Sequence, residues 1–347
     1  MIPYWFLFLL PASAALGRRG LVDQQRRFLW MIVALVMALF MGLRFEVGGD
    51  WATYQGHFLT AAQGLDLALA FDDPGYYVSG WFFAQLGGSI YWLNLFCAGL
   101  LVAGTFRFAS RQPRPWLALV AAVPYLLIVV GMAYTRQAAA IGLVMWGLVA
   151  LRERRMIGFA VAVVLAALFH KTAILMLPIA ALAASRRRIW TAMWVGVLFV
   201  GGFFFLLQDR VDTLYSSYID SEYAFASEGA GIRLAMNAVA AAIFLLFRRR
   251  LSQDIAERRL YGWMSLITLA SVPLLAISPT AVDRMALYLI PLQLVVFSRL
   301  PDLATTGRGR QLMLAAAVGY YALVQFVWLN FASHAFAWLP YQFAPLV

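Results

Sequence analysis

The strongest constraint on this chain is the recurrence of apolar runs from residue 2 to residue 331, with no polar segment between them long enough to fold as a soluble domain. In hydrocarbon the backbone must satisfy its own polar groups, which leaves helices or a closed barrel. Long apolar runs select helices. Composition agrees: 63% of residues are hydrophobic and 12% charged, where soluble domains carry about 25% charged residues. The chain therefore reads as an all-α polytopic membrane protein with one membrane domain, residues 1–347. A net charge of +11 would suggest nucleic acid in a soluble chain. Here the basic residues sit in short clusters between apolar runs, where they set membrane orientation, so no nucleic-acid partner is implied. The one cysteine, Cys97, excludes an intrachain disulfide and suggests no metal site.

The clusters alternate with acid-bearing loops. Arg18, Arg19, Arg26 and Arg27 follow the first apolar run rather than precede it, the reverse of a signal peptide, so an uncleaved first helix with its N-terminus outside is expected. Further clusters, 107–114, 152–155, 186–188, 248–250 and 299–310, mark inner ends. Two outer loops, 44–75 and 208–231, carry most of the acids. A short interfacial helix is expected over 65–71, and an interruption at Gly87-Gly88-Ser89 within 76–106. The alternation predicts about twelve crossings with both termini outside. No motif repeats between the halves, which counts against an inverted-repeat transporter.

Several spans are too short. A crossing needs about 20 residues, but 156–169, 172–185 and 285–298 offer 14 each, about 21 Å of helix. Arginines pin their inner ends, so the deficit falls at the outer ends. His170-Lys171 and Asp283-Arg284 then lie below the outer lipid surface, as does Arg136 ahead of the short run 137–151. The opening of the first outer loop, Arg44 to Tyr54, adds Arg44, Glu46 and Asp50 around Gly48-Gly49, a turn that lets backbone approach a ligand. A charge at membrane depth costs about 2.5–3.5 kcal/mol even on the lenient scale, so these groups line water or bind a charged molecule. Cations (Arg44, Arg136, Lys171, Arg284 and Arg233) outnumber acids (Asp50, Asp283), which favours an anionic ligand such as phosphate or diphosphate.

Each residue also has a plainer reading. Arg136 and Arg284 can snorkel, or pair with Asp50 and Asp283 to hold helices together. Against this, the mixed-charge turns all fall at outer ends and none at an inner end. Asp72-Asp73 before Pro74-Gly75 reads as a solvated turn and helix cap rather than a metal site. Trp51, Tyr54, Trp92 and Trp338 read as interfacial anchors, although sugars also stack on such rings.

These residues resemble the EpsG-like family of exopolysaccharide polymerases, Wzy-type proteins that join lipid-linked glycan repeat units at the outer face of bacterial inner membranes. The resemblance rests on Arg44 with Val47-Gly48-Gly49-Asp50 and Tyr54, on Asp73-Pro74-Gly75-Tyr76, Arg136-Gln137, His170-Lys171-Thr172-Ala173, Asp283-Arg284 and Trp338-Leu339-Pro340-Tyr341. Family members more often carry Gly-Thr-Asp-Tyr where this chain has Gly49-Asp50-Trp51, so Trp51 implies a different sugar. The resemblance implies a GT-C-like fold and a glycosyltransferase that needs no metal or other cofactor, acting on undecaprenyl-diphosphate-linked donor and acceptor glycans. It also implies a setting among membrane lipids, with a chain-length regulator and a flippase of the same pathway as partners. In that reaction Arg44, Arg136, Lys171 and Arg284, with Arg233, stabilise the diphosphate. His170 is the first choice of base and Asp50 the second. A glycan ligase using the same donor, an O-acetyltransferase, and a transporter or flippase of lipid-linked or anionic cargo remain as alternatives.

Overall fold

The computed structural model describes residues 1–17, 23–179 and 229–346, and these are helical with no strand among them. The first half contains α1 (Ile2–Leu16), α2 (Asp23–Gly42), α3 (Trp51–Ala62), α4 (Leu65–Leu69), α5 (Pro74–Gln85) and α6 (Ile90–Ser110). There follow α7 (Pro115–Ala133), α8 (Thr135–Arg152) and α9 (Met156–Phe169), the last leading into a tight turn of helix, Lys171–Leu175. The second half contains α10 (Ala230–Leu251), α11 (Ile255–Ala270), α12 (Pro279–Leu287), α13 (Pro291–Arg299) and α14 (Gly307–Phe331). Expected spans 172–185 and 189–207, the cluster 186–188, Arg18 and Arg19, and nearly all of the loop 208–231 lie partly or wholly outside the described residues.

Among the described residues six helical units are long and apolar enough to cross a membrane: α2, α6, α7, α10, α14 and α11 with the turn that follows it. A seventh arises if the pair Pro279–Leu287 and Pro291–Leu303, bent by 56°, counts as one span. The bend falls within the expected return over 285–298 and divides it between two helices. Pro291 has no N–H to donate into the preceding turn, so α12 stops and α13 starts in a new direction. The expected interruption at Gly87-Gly88-Ser89 separates α5 from α6, and α4 falls within the expected interfacial helix.

The bundle is built around α7 and α8, whose side chains are buried almost throughout. In α7, Val123–Val130 wind in wide i→i+5 turns around Pro124, whose missing N–H removes a helix hydrogen bond. Between α6 and α8 the backbones touch at Gly104 and Gly142, where a Cβ on either would strike a carbonyl of the other helix. Small residues permit this approach, the ordinary device for packing helices in lipid.

At the arginine-rich end the structure departs from expectation. Mixed charge occurs there too. Arg299 makes a two-pronged contact with Glu257 (2.9 and 3.0 Å), Arg152 reaches the same carboxylate at 3.0 Å, and Ser252 donates to it at 2.7 Å. Arg114 holds Asp302 in the same forked way, at 2.8 and 2.7 Å. Acids thus also tie helix ends at this face, and the outer turns are not unique in mixing charge.

Candidate active site

The turn after α2 is held from beneath by the C-terminal segment. Phe45 N–H donates to the Gln342 carbonyl (3.0 Å), Ala344 N–H to that of Leu43 (2.8 Å), and Gly48 N–H to that of Ala337 (2.8 Å). Tyr341 stacks on Phe40 at 3.9 Å, and the Trp338 indole donates to the Ile128 carbonyl. Arg44 is the centre of this support. It is 1% exposed and donates to the carbonyls of Met41 (2.6 Å) and Val47 (3.0 Å) and to the Thr135 hydroxyl (2.9 Å). Gly48 has φ +107°, and a Cβ there would meet the Met132 carbonyl, so the turn admits only glycine. Beyond it Gly49 faces open space, and Asp50 starts α3 while remaining open to solvent.

Facing this turn, the start of α8 presents Arg136. Its Nη1 donates to Asp73 Oδ2 at 2.8 Å and to the Tyr77 hydroxyl at 3.2 Å, and its guanidinium lies 5.8 Å from the Tyr54 ring. Asp73 is buried at the start of α5, and its other oxygen accepts from the Lys171 N–H at 3.2 Å. Burial raises the Asp73 carboxyl above its usual range, against the pull of Arg136 and Lys171. The Lys171 ammonium pairs with Asp72 at 3.2 Å. Asp73 is therefore no solvated turn residue but the anchor of the arginine.

His170 ends α9, 6% exposed, with Nδ1 2.6 Å from Thr172 Oγ1 and 3.5 Å from the Tyr288 hydroxyl. Burial, together with Arg284, Arg136 and Lys171, holds the imidazole well below its usual range, so it is neutral near pH 7. Although Asp50 is exposed overall, partial desolvation by the protein packed around it raises its carboxyl, with Arg284 and Arg136 pulling the other way. The same two arginines thus influence both groups. Nearby on α10 and α12 is a forked pair, Arg233 Nε and Nη2 to Asp283 at 2.6 and 2.8 Å. Arg284 follows on α12, its carbonyl accepting from Gln137 Nε2 at 2.7 Å. Tyr134 lies within the electrostatic reach of Arg233, Asp283, Arg284 and Asp50 together.

The EpsG family model matches residues 27–343. This chain belongs to the EpsG family. No curated protein and no solved structure matches it. EpsG-family membership and a bundle of apolar helices fit a multi-pass membrane protein of polysaccharide polymerisation. Against that background, Asp50, Tyr54, Arg136, His170, Lys171, Arg233, Asp283 and Arg284 share one electrostatic neighbourhood on different helix ends. Arg44, Trp51 and Gly48 stand behind it. Trp51 packs between Phe45 and Tyr91, with the Arg44 guanidinium 5.6 Å from its ring. Trp51, Tyr54 and Trp338 are not interfacial anchors, since all three are buried, whereas Trp92 is exposed.

Sequence reasoning missed Asp73, Tyr77, Thr172 and Tyr288 as neighbours of the candidate residues. Asp73 had a usable signal. Three outer-end cations brought to membrane depth need more acid than Asp50 and Asp283 provide. The tyrosines and Thr172 carry no such mark.

Proposed function

We propose that this EpsG-family protein transfers a growing glycan from a polyprenyl diphosphate, of the undecaprenyl type, to a hydroxyl of an incoming lipid-linked repeat unit. The observation that carries the reading is the gathering of Arg136 and the Lys171 N–H on the Asp73 carboxylate at 2.8 and 3.2 Å, with Gln137, next to Arg136, bonded to the Arg284 carbonyl at 2.7 Å. In the reaction the bond from the anomeric carbon to the diphosphate oxygen breaks, and the diphosphate leaves with the electron pair. The acceptor oxygen forms the new bond to that carbon and its proton passes to a base. Arg136, Arg284 and Lys171 are the groups assigned to the charge that develops on the leaving diphosphate. Arg233, with Asp283, lies alongside them as a further cation.

We infer the opposite order of preference for the base. Asp50 is open to solvent and its carboxyl is raised, which strengthens it as a proton acceptor, whereas His170 is buried with Nδ1 engaged by Thr172. Asp50 is assigned as base and His170 as the neutral group packed behind the diphosphate. Arg44 is assigned to support, since it is buried and its guanidinium is held by Met41, Val47 and Thr135. This reading places the site at the outer face of a bacterial inner membrane.

The test is reconstitution of the purified protein with a lipid-linked oligosaccharide and no nucleotide sugar. A ladder of lengthened lipid-linked glycan supports the assignment. Transfer of the glycan to a different acceptor identifies a ligase, and movement of the lipid between leaflets without lengthening identifies a flippase.

A further inference from the structure

The turn joining α8 to α9 lies at the arginine-rich end, separated from His170 by the length of α9, about 21 Å. Two cavities, of about 580 and about 630 Å³, flank this turn, and Arg154 and Met156 line both. Arg107 and Arg155 line the first with Trp146, and Arg152 and Arg259 line the second.

The acids nearby are already committed. Glu257 is held by Arg299, Arg152 and Ser252, Glu153 by Arg111 at 2.7 Å with Arg155 and Arg107 further off, and Asp254 caps α11 through the Ala256 N–H. Arg154 and Arg259 have no ion-pair partner among the described residues. Arg107 lies over the Trp146 ring at 4.5 Å, and its Nε is buried without a hydrogen-bond acceptor. Arg154 is held at φ +61°, a conformation few non-glycine residues adopt, and lines both cavities. Alongside these cations the lining is apolar and open, with Ile157 81% and Trp146 43% exposed.

We propose that the α8–α9 turn binds an anionic phospholipid, its phosphate at Arg154 and its acyl chains along Trp146, Met156 and Ile157. Uncommitted guanidinium groups beside exposed apolar side chains match a ligand that carries phosphate and hydrocarbon on one molecule. A soluble anion would use the arginines and leave Trp146 and Ile157 uncovered. Positive-inside orientation puts this face toward the cytoplasmic leaflet, where anionic lipid is available to it.

The test is native mass spectrometry of the full-length protein, titrated with phosphatidylglycerol and with phosphatidylcholine of the same acyl chains. Wild type is expected to favour phosphatidylglycerol. Arg154→Asn, chosen because Asn tolerates positive φ, and Arg259→Gln should each reduce that preference about fivefold. The triple change of Arg248, Arg249 and Arg250 to Gln should leave it unchanged, which separates a built site from general basicity. A doubly substituted Arg154→Asn, Arg259→Gln protein that keeps the wild-type preference overturns the proposal, as does loss of the preference in the triple variant. Displacement of the lipid by millimolar inorganic phosphate alone also overturns it, since the cavities would then take phosphate without regard to the chains.

Discussion

Arg136 on α8 donates to Asp73 on α5 across 2.8 Å, and the carboxylate that receives it is almost fully enclosed. Removing one member of such a pair leaves a buried charge uncompensated, at a cost of about 3–5 kcal/mol. Asp73→Ala is therefore expected to lower the unfolding temperature and to abolish polymer, since Arg136 loses the group that aims it. Arg136→Gln should also abolish polymer. Combining the two changes should recover stability but not activity, a pattern read by thermal unfolding in detergent alongside the lengthening assay.

Asp50 yields a pH test with a defined sign. Burial raises its carboxyl and Arg284 lowers it, so removing the Arg284 charge must raise it further. If Asp50 is the base, activity falls as pH drops through its pKa. Arg284→Gln should thus move the acid limb of residual activity to higher pH, while Arg284→Lys should leave the limb near its wild-type position. His170 contributes no limb close to pH 6.5, because its imidazole stays neutral until well below that value. The check is a rate–pH profile of the reconstituted enzyme for the three proteins.

Arg44 should behave differently from Arg136 although both flank apolar runs. Replacing Arg44 with Ala leaves the acceptors Met41 O, Val47 O and Thr135 Oγ1 without their donor in a buried position, at about 1–3 kcal/mol each. The expected result is loss of folded protein, seen as low yield and aggregation on size exclusion. Arg136→Ala is expected to yield inserted, monodisperse and inactive protein with a lowered unfolding temperature, since Asp73 is left unpaired.

The contrast between these arginines marks what a linear reading can supply. Helix length and apolar content are local properties, so the ends of α9 at His170 and of α8 near Arg136 are legible, as is the Gly48-Gly49 turn. Partner choice is not local. Asp73 sits before Pro74-Gly75 and reads as a turn until α5 and α8 are packed together. Arg44 becomes structural because Thr135, brought in by α8, joins the carbonyls of Met41 and Val47 as its acceptors, with residues 337–344 folded across the same loop. The joining of Arg299 to Glu257 is hidden for the same reason, since basic clusters satisfy the orientation rule whether or not an acid from another helix lies between them.

The Arg299–Glu257 knot should affect stability and not chemistry. It ties α13 to α11 at the end opposite the candidate site, with Gln112 and the Leu251 carbonyl also accepting from Arg299. Glu257→Gln is expected to cost about 3–5 kcal/mol because it strands a buried guanidinium. The specific activity of the surviving folded fraction should match wild type. Thermal unfolding and activity per folded molecule test the two halves of this expectation.

Gly48 and Gly49 are adjacent yet predict opposite outcomes. At Gly48 the backbone has φ +107° and a Cβ would collide with the Met132 carbonyl, so Gly48→Ala should disrupt the turn and with it the fold around Arg44. At Gly49 no atom lies within 4 Å of an added Cβ. Gly49→Ala should then leave unfolding within about 0.5 kcal/mol of wild type. Any loss of polymerisation in that variant cannot come from the protein's own packing and must report a molecule approaching the backbone beside Asp50. A Gly49→Ala protein with wild-type rates even at limiting substrate would place the sugar and the diphosphate elsewhere, and would remove this turn from the site.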